Sequence, residues 1–172
     1  MTTTIPEQIS QCNLYNSADR FVGVTGEITL PSFEPQTNTV SGAGINGEYE
    51  SPVVGCFGSA EMEIPFRVFD EQAAELLKNS GVTLFLRGAV QAQDVSTLNT
   101  VNKQFKVTAK GKQKGVTLGT SGPAKQMDSS VKLEIIYFKY EYDGNVLLEV
   151  DKLNNIYVVN GEDQLAEIKS MI

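Results

Sequence analysis

Alternating apolar and polar residues run through most of the chain, and this period of two predicts β-strands. The predicted strands are 21–30, 82–92, 105–110, 131–142, 145–150 and 156–159. In the first of them the apolar face would consist of Val22, Val24, Ile28 and Leu30, interrupted at Gly26. The longest, 131–142, is apolar on both faces over part of its length, which indicates a strand covered on both sides or contributing to an interface.

Helical periodicity is confined to two segments. Asp70 can cap a helix that Gly81 would end, with apolar residues along one side. These residues are Ala73, Ala74, Leu76 and Leu77. A C-terminal helix is predicted within 162–172, where Leu165, Ile168 and Ile172 form one stripe. The fold class is therefore mainly β with a small α content, in a single domain over residues 1–172.

Turn signals separate the strands. Asp143-Gly144 predicts a hairpin, because a type I′ turn needs positive φ at both central positions. An extended Gly-rich loop is predicted at 41–52, with Asn46-Gly47 as a hairpin tip, and a polar loop at 93–102. Loops of this length are often functional, so both could reach a neighbouring subunit.

The composition argues against an enzyme and against nucleic-acid binding. The chain has 172 residues, a formal charge of −7 and no His. His is the commonest general base and metal ligand, so no catalytic, metal-binding or cofactor-binding residues are predicted. The Gly-rich stretch 111–122 does not match the spacing of a phosphate-binding loop. An acidic surface repels nucleic-acid phosphates, but it suits a channel through which DNA passes.

The remaining features indicate a soluble protein made in the cytoplasm. Cys12 and Cys56 are far apart in the sequence, so small buried residues or free thiols are expected rather than a disulfide framework. No run approaches the 18 or so apolar residues that a membrane span needs, so membrane anchoring is not expected. The first residues lack the pattern of a signal peptide.

Three groups of side chains could form contact surfaces. A basic face would contain Lys106, Lys110, Lys112 and Lys114, as a solvated strand face or as a contact for an acidic partner. An acidic face would contain Glu61 and Glu63, solvated or facing a lumen. The aromatic residues Tyr137, Phe138, Tyr140 and Tyr142 crowd one strand, as expected of an interface or of ordinary core packing.

Short blocks in a fixed order extend from about residue 12 to about residue 170. They are Asn13-Leu-Tyr-Asn16, Gly26-Glu-Ile-Thr-Leu-Pro31, Gly42-Ala-Gly-Ile-Asn-Gly47, Leu86-Arg-Gly-Ala89, Tyr137-Phe-Lys-Tyr140, Leu148-Glu-Val-Asp151, Asn154-Asn-Ile-Tyr-Val-Val-Asn-Gly161 and Asp163-Gln-Leu-Ala166. This series resembles the phage major tail tube family, which includes the inner tubes of contractile phage tails and of R-type bacteriocins. The stretch 51–64 shows less resemblance to this family.

The resemblance implies two packed antiparallel sheets that form a barrel-like sandwich, with a flanking helix. It also implies hexameric rings that stack into a hollow tube inside a contractile sheath. Implied partners are further copies of the chain, the sheath protein, the tape-measure protein, the baseplate hub and the tail terminator, with DNA only as passing cargo. The candidate inter-subunit or inter-ring loop consists of Gly42, Gly44, Ile45, Asn46, Gly47, Glu48 and Tyr49.

Two other classes of protein fit the same pattern. A monomeric β-barrel binding module would be β-rich as well, but it should stay monomeric and expose an aromatic platform. A type VI secretion-like tube protein is mechanically close to a phage tail tube. The resemblance favours the phage tail or a phage-tail-like bacteriocin particle, assembled in the bacterial cytoplasm.

Overall fold

The computed structural model describes residues 3–172, and most of its regular structure is antiparallel β-sheet. The strands are β1 (Thr4–Tyr15), β2 (Pro35–Ser41), β3 (Glu48–Phe57), β4 (Glu61–Phe66), β5 (Val82–Asp94), β6 (Thr100–Thr117), β7 (Ser129–Tyr142), β8 (Asn145–Asp151), β9 (Ile156–Val159) and β10 (Glu162–Asp163). The helices are α1 (Glu71–Glu75) and α2 (Ala166–Met171). The main sheet has the order β1-β5-β6-β7-β8-β9-β10, and β4 also pairs with β7. Strands β2 and β3 form a separate two-stranded sheet.

Strand β7 joins the two branches of the main sheet. One of its edges pairs with β6 along nearly the whole strand. The other edge is shared, because its first half pairs with β4 and its second half with β8. At the division, the Ile135 N–H donates to the Ala60 carbonyl at 2.8 Å, and the Ile136 carbonyl accepts from the Lys152 N–H at 3.1 Å.

A β-bulge at Ile136 accompanies this division. Lys110 of β6 lies opposite Tyr137, but the next residue, Gly111, lies opposite Ile135, so Ile136 is an extra residue. Because of this extra residue, odd-numbered residues face inward in the first half of β7 and even-numbered residues face inward in the second half. These buried residues are Val131, Leu133 and Ile135, and then Phe138. The apolar residues on both faces of 131–142 result from this switch of face.

The hydrophobic core lies between the inner side of the main sheet, helix α1 and the irregular residues 16–34. Its buried members include Leu14, Phe21, Met62, Ile64, Phe66, Leu76, Leu84, Leu86, Phe105, Val107, Val131, Leu133, Ile135 and Phe138. Helix α1 begins where the sequence predicts, since the Asp70 carboxylate accepts a hydrogen bond from the Ala73 N–H at 3.0 Å. The helix is shorter than predicted, because its C-cap is Leu76 and a series of turns leads to Gly81.

The predicted fold class, mainly β with a small α content and two antiparallel sheets, is confirmed, although the sheets are not closed into a barrel. The predicted strand 21–30 is wrong, since this segment makes isolated bridges to β4 and a backbone hydrogen bond to β1. Gly23 and Gly26 have φ of 114° and 66°, and these backbone conformations interrupt continuous pairing between residues 21–30 and β4. Val22 is consequently 63% exposed and does not share a buried face with Val24.

Edge strand β1 is absent from the sequence prediction because its alternation is broken. Glu7 and Ser10 have no partner in β5, so the strand contains two bulges. Most of the strand is exposed, including Ile5 at 54% and Ile9 at 58%. The other predicted strands are confirmed as parts of β5 to β9. The hairpin at Asp143-Gly144 is confirmed too, with φ of 50° and 81°.

The predicted loops and the C-terminal helix are shorter in the structure. Only residues 42–47 of the Gly-rich loop and 95–99 of the polar loop lie outside strands. The C-terminal helix starts at Ala166 rather than at Glu162, because the first predicted residues form β10.

Gly111 offers a test of the close pairing between β6 and β7. A Cβ atom at this position would collide with the backbone carbonyl oxygen of Glu134, which cannot move without disturbing β7. We expect Gly111→Ala to lower the free energy of unfolding by about 1–3 kcal/mol, as overpacking does elsewhere. Urea denaturation measures the change.

Gly115→Ala is the matched control for this substitution. It lies in the same strand, and no atom within 4 Å would meet its Cβ. We expect its effect to stay within about 0.5 kcal/mol. Equal effects of the two variants would contradict a tight contact at Gly111.

Candidate assembly surfaces

The β2–β3 hairpin brings together every residue of the predicted inter-subunit loop. Ser41 pairs with Glu48 and Val40 pairs with Tyr49, so residues 42–47 form the tip. Gly42, Gly44 and Gly47 have positive φ there, a conformation that glycine adopts without steric cost. Asn46-Gly47 lies within this six-residue tip, but the tight turn is at residues 42–45, where the Ile45 N–H donates to the Gly42 carbonyl at 3.1 Å. The contact with a neighbour stays a prediction.

Most of this hairpin is exposed on both faces. Of the β2 residues only Val40 is partly buried, and Tyr49, Val53 and Val54 of β3 are exposed at 55%, 47% and 53%. Alternation along β3 places Glu48 and Glu50 on one face and Tyr49 on the other. Next to the tip, the hairpin thus presents carboxylates on one face and the Tyr49 side chain on the other.

The base of the hairpin is fixed to the main sheet by aromatic and aliphatic contacts. Phe33 lies 5.3 Å from Phe138 and 5.7 Å from Phe57, and Phe57 lies 5.0 Å from Tyr157, measured between ring centroids. Leu165, which is buried, packs against Gly55 of β3. The base is therefore anchored while the tip projects into solvent.

The bulge at Ile136 divides the four aromatic residues of the predicted interface strand. Phe138 is buried in the core, and Tyr140 stacks on Phe105 with ring centroids 6.3 Å apart. Tyr142 is partly buried on the same side. These positions agree with the alternative of core packing. Their role in an interface is a prediction that can apply only to the partly exposed tyrosines.

Tyr137 lies on the opposite, outward side of the sheet. Its hydroxyl donates to the Glu149 carboxylate at 2.8 Å, and the Lys110 ammonium lies 5.1 Å from its ring centroid. Partial burial, followed by the hydrogen bond to Glu149, raises the pKa of Tyr137 above its usual range. Its ring is therefore held in a fixed position on the outer face.

The four lysines of the predicted basic face all lie on the outward side of β6, as the alternation indicates, but their environments differ. Lys106 is 3.9 Å from Glu141, and Lys114 contacts the carboxylates of two glutamates. Within residues 3–172, Lys110 and Lys112 form no ion pair. These two are the lysines of the face that remain available to a partner.

A cluster of polar and charged groups around Glu134 spans the division of the main sheet. The Glu134 carboxylate accepts hydrogen bonds from the Ser59 hydroxyl at 2.6 Å and the Ala60 N–H at 3.1 Å. The Lys114 and Lys152 ammonium groups lie 3.3 Å and 3.5 Å from it. The Glu134 cluster therefore connects residues that precede β4 with β6, β7 and the residue after β8.

Glu61 belongs to the edge of the same cluster. Lys114 lies 2.5 Å from its carboxylate, and a hydrogen bond from Lys114 lowers the pKa of Glu61. Glu63 lies on the same outward side of β4 as Glu61, because the alternate residues Met62 and Ile64 are buried on the inner side. The shared face of Glu61 and Glu63 is confirmed, whereas a role in lining a lumen is still a prediction.

The Glu134 cluster has no local signal in the sequence. Alternation indicates only that Glu134 points outward, and Ser59 and Lys152 lie in connecting segments away from it along the chain. The pairing of β4 and β8 with the same edge of β7 brings these groups together. Knowledge of strand order would have been needed to find the cluster.

The described part of the chain gives less support to a role for buried cysteines, to a metal site and to a membrane-spanning helix. Cys12 and Cys56 are exposed free thiols rather than small buried residues. Over residues 3–172, no group of His, Cys, Asp and Glu side chains is arranged to hold a metal ion. None of the helices described has both the length and the apolar character that crossing a membrane requires.

These observations define a β-rich protein whose most prominent exposed features are a projecting hairpin and an edge strand. The sequence profile of the family described as "Phage tail tube protein FII" matches residues 6–172. The chain is also 29% identical over 167 residues to the "Tail tube protein" of Escherichia phage P2, covering 95% of each chain. The chain belongs to the phage tail tube protein FII family, which confirms the resemblance.

The Glu134 cluster predicts a loss of stability in acid. Partial burial raises the pKa of Glu134, but hydrogen bonds from Ser59, Ala60 and Lys114 and the charge of Lys152 outweigh it, and the pKa falls from 4.5 to about 2. A carboxyl with a lowered pKa stabilises the fold above its unfolded pKa and loses this contribution as the pH falls towards its folded value. The contribution should therefore disappear between about pH 4.5 and pH 2.

Glu134→Gln removes the charge and keeps the size of the side chain. We expect the variant to be less stable than the original chain at pH 7 and to lose less stability between pH 5 and pH 2. Thermal unfolding followed by circular dichroism over this pH range measures both effects. Glu27→Gln, at an exposed position outside the cluster, is the control. Parallel pH profiles for the original chain and Glu134→Gln would exclude the cluster as the cause.

Proposed function

We propose that this chain is a structural subunit of the inner tube of a contractile phage tail or of a phage-tail-like bacteriocin. Copies of it form hexameric rings, and the rings stack into a hollow tube. The observation that carries the proposal is the β2–β3 hairpin, a separate two-stranded sheet whose base is anchored while the part near the tip is exposed on both faces. Membership of a tail tube family supports the same role.

An exposed two-stranded hairpin favours assembly on energetic grounds. A hairpin with no third strand and no covered face is marginally stable in water. Contact with a neighbouring subunit would bury Tyr49, Val53 and Val54. Each Å² of apolar surface removed from water contributes about 25 cal/mol, so such a contact stabilises both the hairpin and the assembly.

Edge strand β1 supports lateral contacts within a ring. It pairs with β5 on one side, and within residues 3–172 no other strand pairs with its outer edge. Unpaired backbone N–H and C=O groups along an edge favour addition of a further strand. We propose that the sheets of neighbouring subunits continue one another and line the lumen. A head-to-tail contact of this kind gives a closed ring when its rotation closes.

The function of the tube is then mechanical. A contractile sheath surrounds the tube, and sheath shortening drives the tube through the target envelope. During assembly the lumen contains the tape-measure protein, and it later conducts DNA in a phage or ions in a headless particle. The formal charge of −7 supports passage of DNA with little adhesion. The baseplate hub and the tail terminator would cap its two ends.

Negative-stain electron microscopy of the purified protein, with light scattering on the same sample, tests the proposal. We expect rings or hollow tubes, with a molar mass well above the 18.7 kDa of one chain. A uniform monomer at high concentration, even with sheath and baseplate proteins supplied, would contradict the proposal. That result would favour a monomeric binding module.

The hairpin's part in assembly can be tested separately. We expect the double variant Ile45→Ser, Tyr49→Ser to fold normally and to form fewer or shorter tubes, because Ile45 is exposed at the tip and Tyr49 is exposed close to it in β3. Val68→Ser removes a comparably exposed apolar side chain, 51% exposed, outside the hairpin. Tube length from micrographs is the measurement. Equal lengths for the two variants would exclude the tip from ring stacking.

A further inference from the structure

The division of the main sheet creates an open cleft on its outer face. The cleft has a volume of about 360 Å³ and lies between β6, the middle of β7 and the turn after β8. Its lining includes Lys110, Lys112, Ile136, Tyr137, Asp151 and Leu153. It is therefore partly apolar and carries two ammonium groups, a combination suited to a peptide segment with both apolar and acidic residues.

The two lysines give the cleft a net positive charge, because Asp151 is the one carboxylate among its lining residues. Neither forms an ion pair within residues 3–172. The cleft also contains the Asp151 carboxylate, which accepts hydrogen bonds from the Leu153 N–H at 3.0 Å and from the Asn154 side chain at 2.6 Å. Leu153 is 75% exposed and provides an apolar wall beside them.

The hairpin tip has the complementary chemistry. Positions 21–66 contain neither Lys nor Arg, and the hairpin presents Glu48 and Glu50 on one face. Neither carboxylate forms an ion pair within the described residues. Ile45 stands at the tip and is 38% exposed. The hairpin therefore combines an exposed apolar side chain at its tip with two carboxylates just beyond the tip, of which Glu50 also accepts a hydrogen bond from the Thr37 hydroxyl at 3.4 Å.

We propose that the β2–β3 hairpin tip of one copy binds in the Lys110–Lys112 cleft of a second copy. Ile45 lies against Ile136 and Leu153, and the carboxylates of Glu48 and Glu50 face the two ammonium groups. None of residues 42–50 lines the cleft of the same chain, and the charges of the two surfaces are complementary, so the proposed occupant is the hairpin of a second copy. This contact rests on the proposed function. It identifies the surface that receives the hairpin and the charged residues that determine the pairing.

Charge reversal tests the pairing directly. The variants are E48K/E50K, K110E/K112E and a chain that carries all four substitutions. We expect each double variant to raise the critical concentration for assembly about tenfold or more, because like charges then face each other. The fourfold variant restores opposite charges across the contact and keeps the original net charge. We expect it to assemble at a concentration near that of the original chain.

Two controls separate this contact from general charge effects and from misfolding. E27K/E167K adds the same charge as E48K/E50K at exposed positions outside the hairpin, and we expect it to assemble normally. Circular dichroism spectra and melting temperatures establish that each variant is folded. Light scattering against concentration gives the critical concentrations, and micrographs identify the product.

The outcomes distinguish this contact from the function on which it rests. If the original chain assembles and either double variant assembles equally well, the contact is wrong and the tube function stands. If both double variants fail and the fourfold variant fails too while remaining folded, the two surfaces do not bind each other. If the original chain stays monomeric under all conditions, the contact and the proposed function are both overturned.

Discussion

The constraint on which the fold depends is the limited pairing capacity of one strand. A β-strand has two edges, and β7 must serve three partners. It does so by giving one edge to β6 and dividing the other between β4 and β8. The extra residue at Ile136 makes the division compatible with a single core, because Phe138 can then point inward like Ile135. The core, the outer cleft and the Glu134 cluster all lie at this division.

The Glu134 cluster shows how the division is stabilised. Backbone groups at the branch point would lose partners if β4 or β8 moved away, and unpaired buried polar groups are costly. Glu134 accepts from the chain before β4, while Lys152 comes from the turn after β8. One carboxylate therefore holds both branches. This position is partly exposed, so its contribution arises from several simultaneous hydrogen bonds rather than from one buried ion pair.

Local patterns predicted the parts of the fold that local chemistry determines. Alternation identified β5 to β9, Asp70 identified the start of α1, and the Gly-rich segment identified the loop of the β2–β3 hairpin. The same reasoning failed where strand pairing is irregular. Residues 21–30 alternate well, yet positive φ at Gly23 and Gly26 prevents a strand. The Glu134 cluster and the cleft depend on which strands are neighbours, and a single sequence does not encode that order in any short pattern.

The bulges of edge strand β1 affect which strands can pair with its outer edge. A regular strand that approaches the outer edge of β1 meets backbone donors and acceptors in phase only up to Glu7, and the phase changes again at Ser10. A flat edge accepts almost any extended peptide and promotes aggregation. An edge with two irregularities instead discriminates among partners by the spacing of their backbone groups. Such an edge disfavours indiscriminate growth of the sheet from chain to chain.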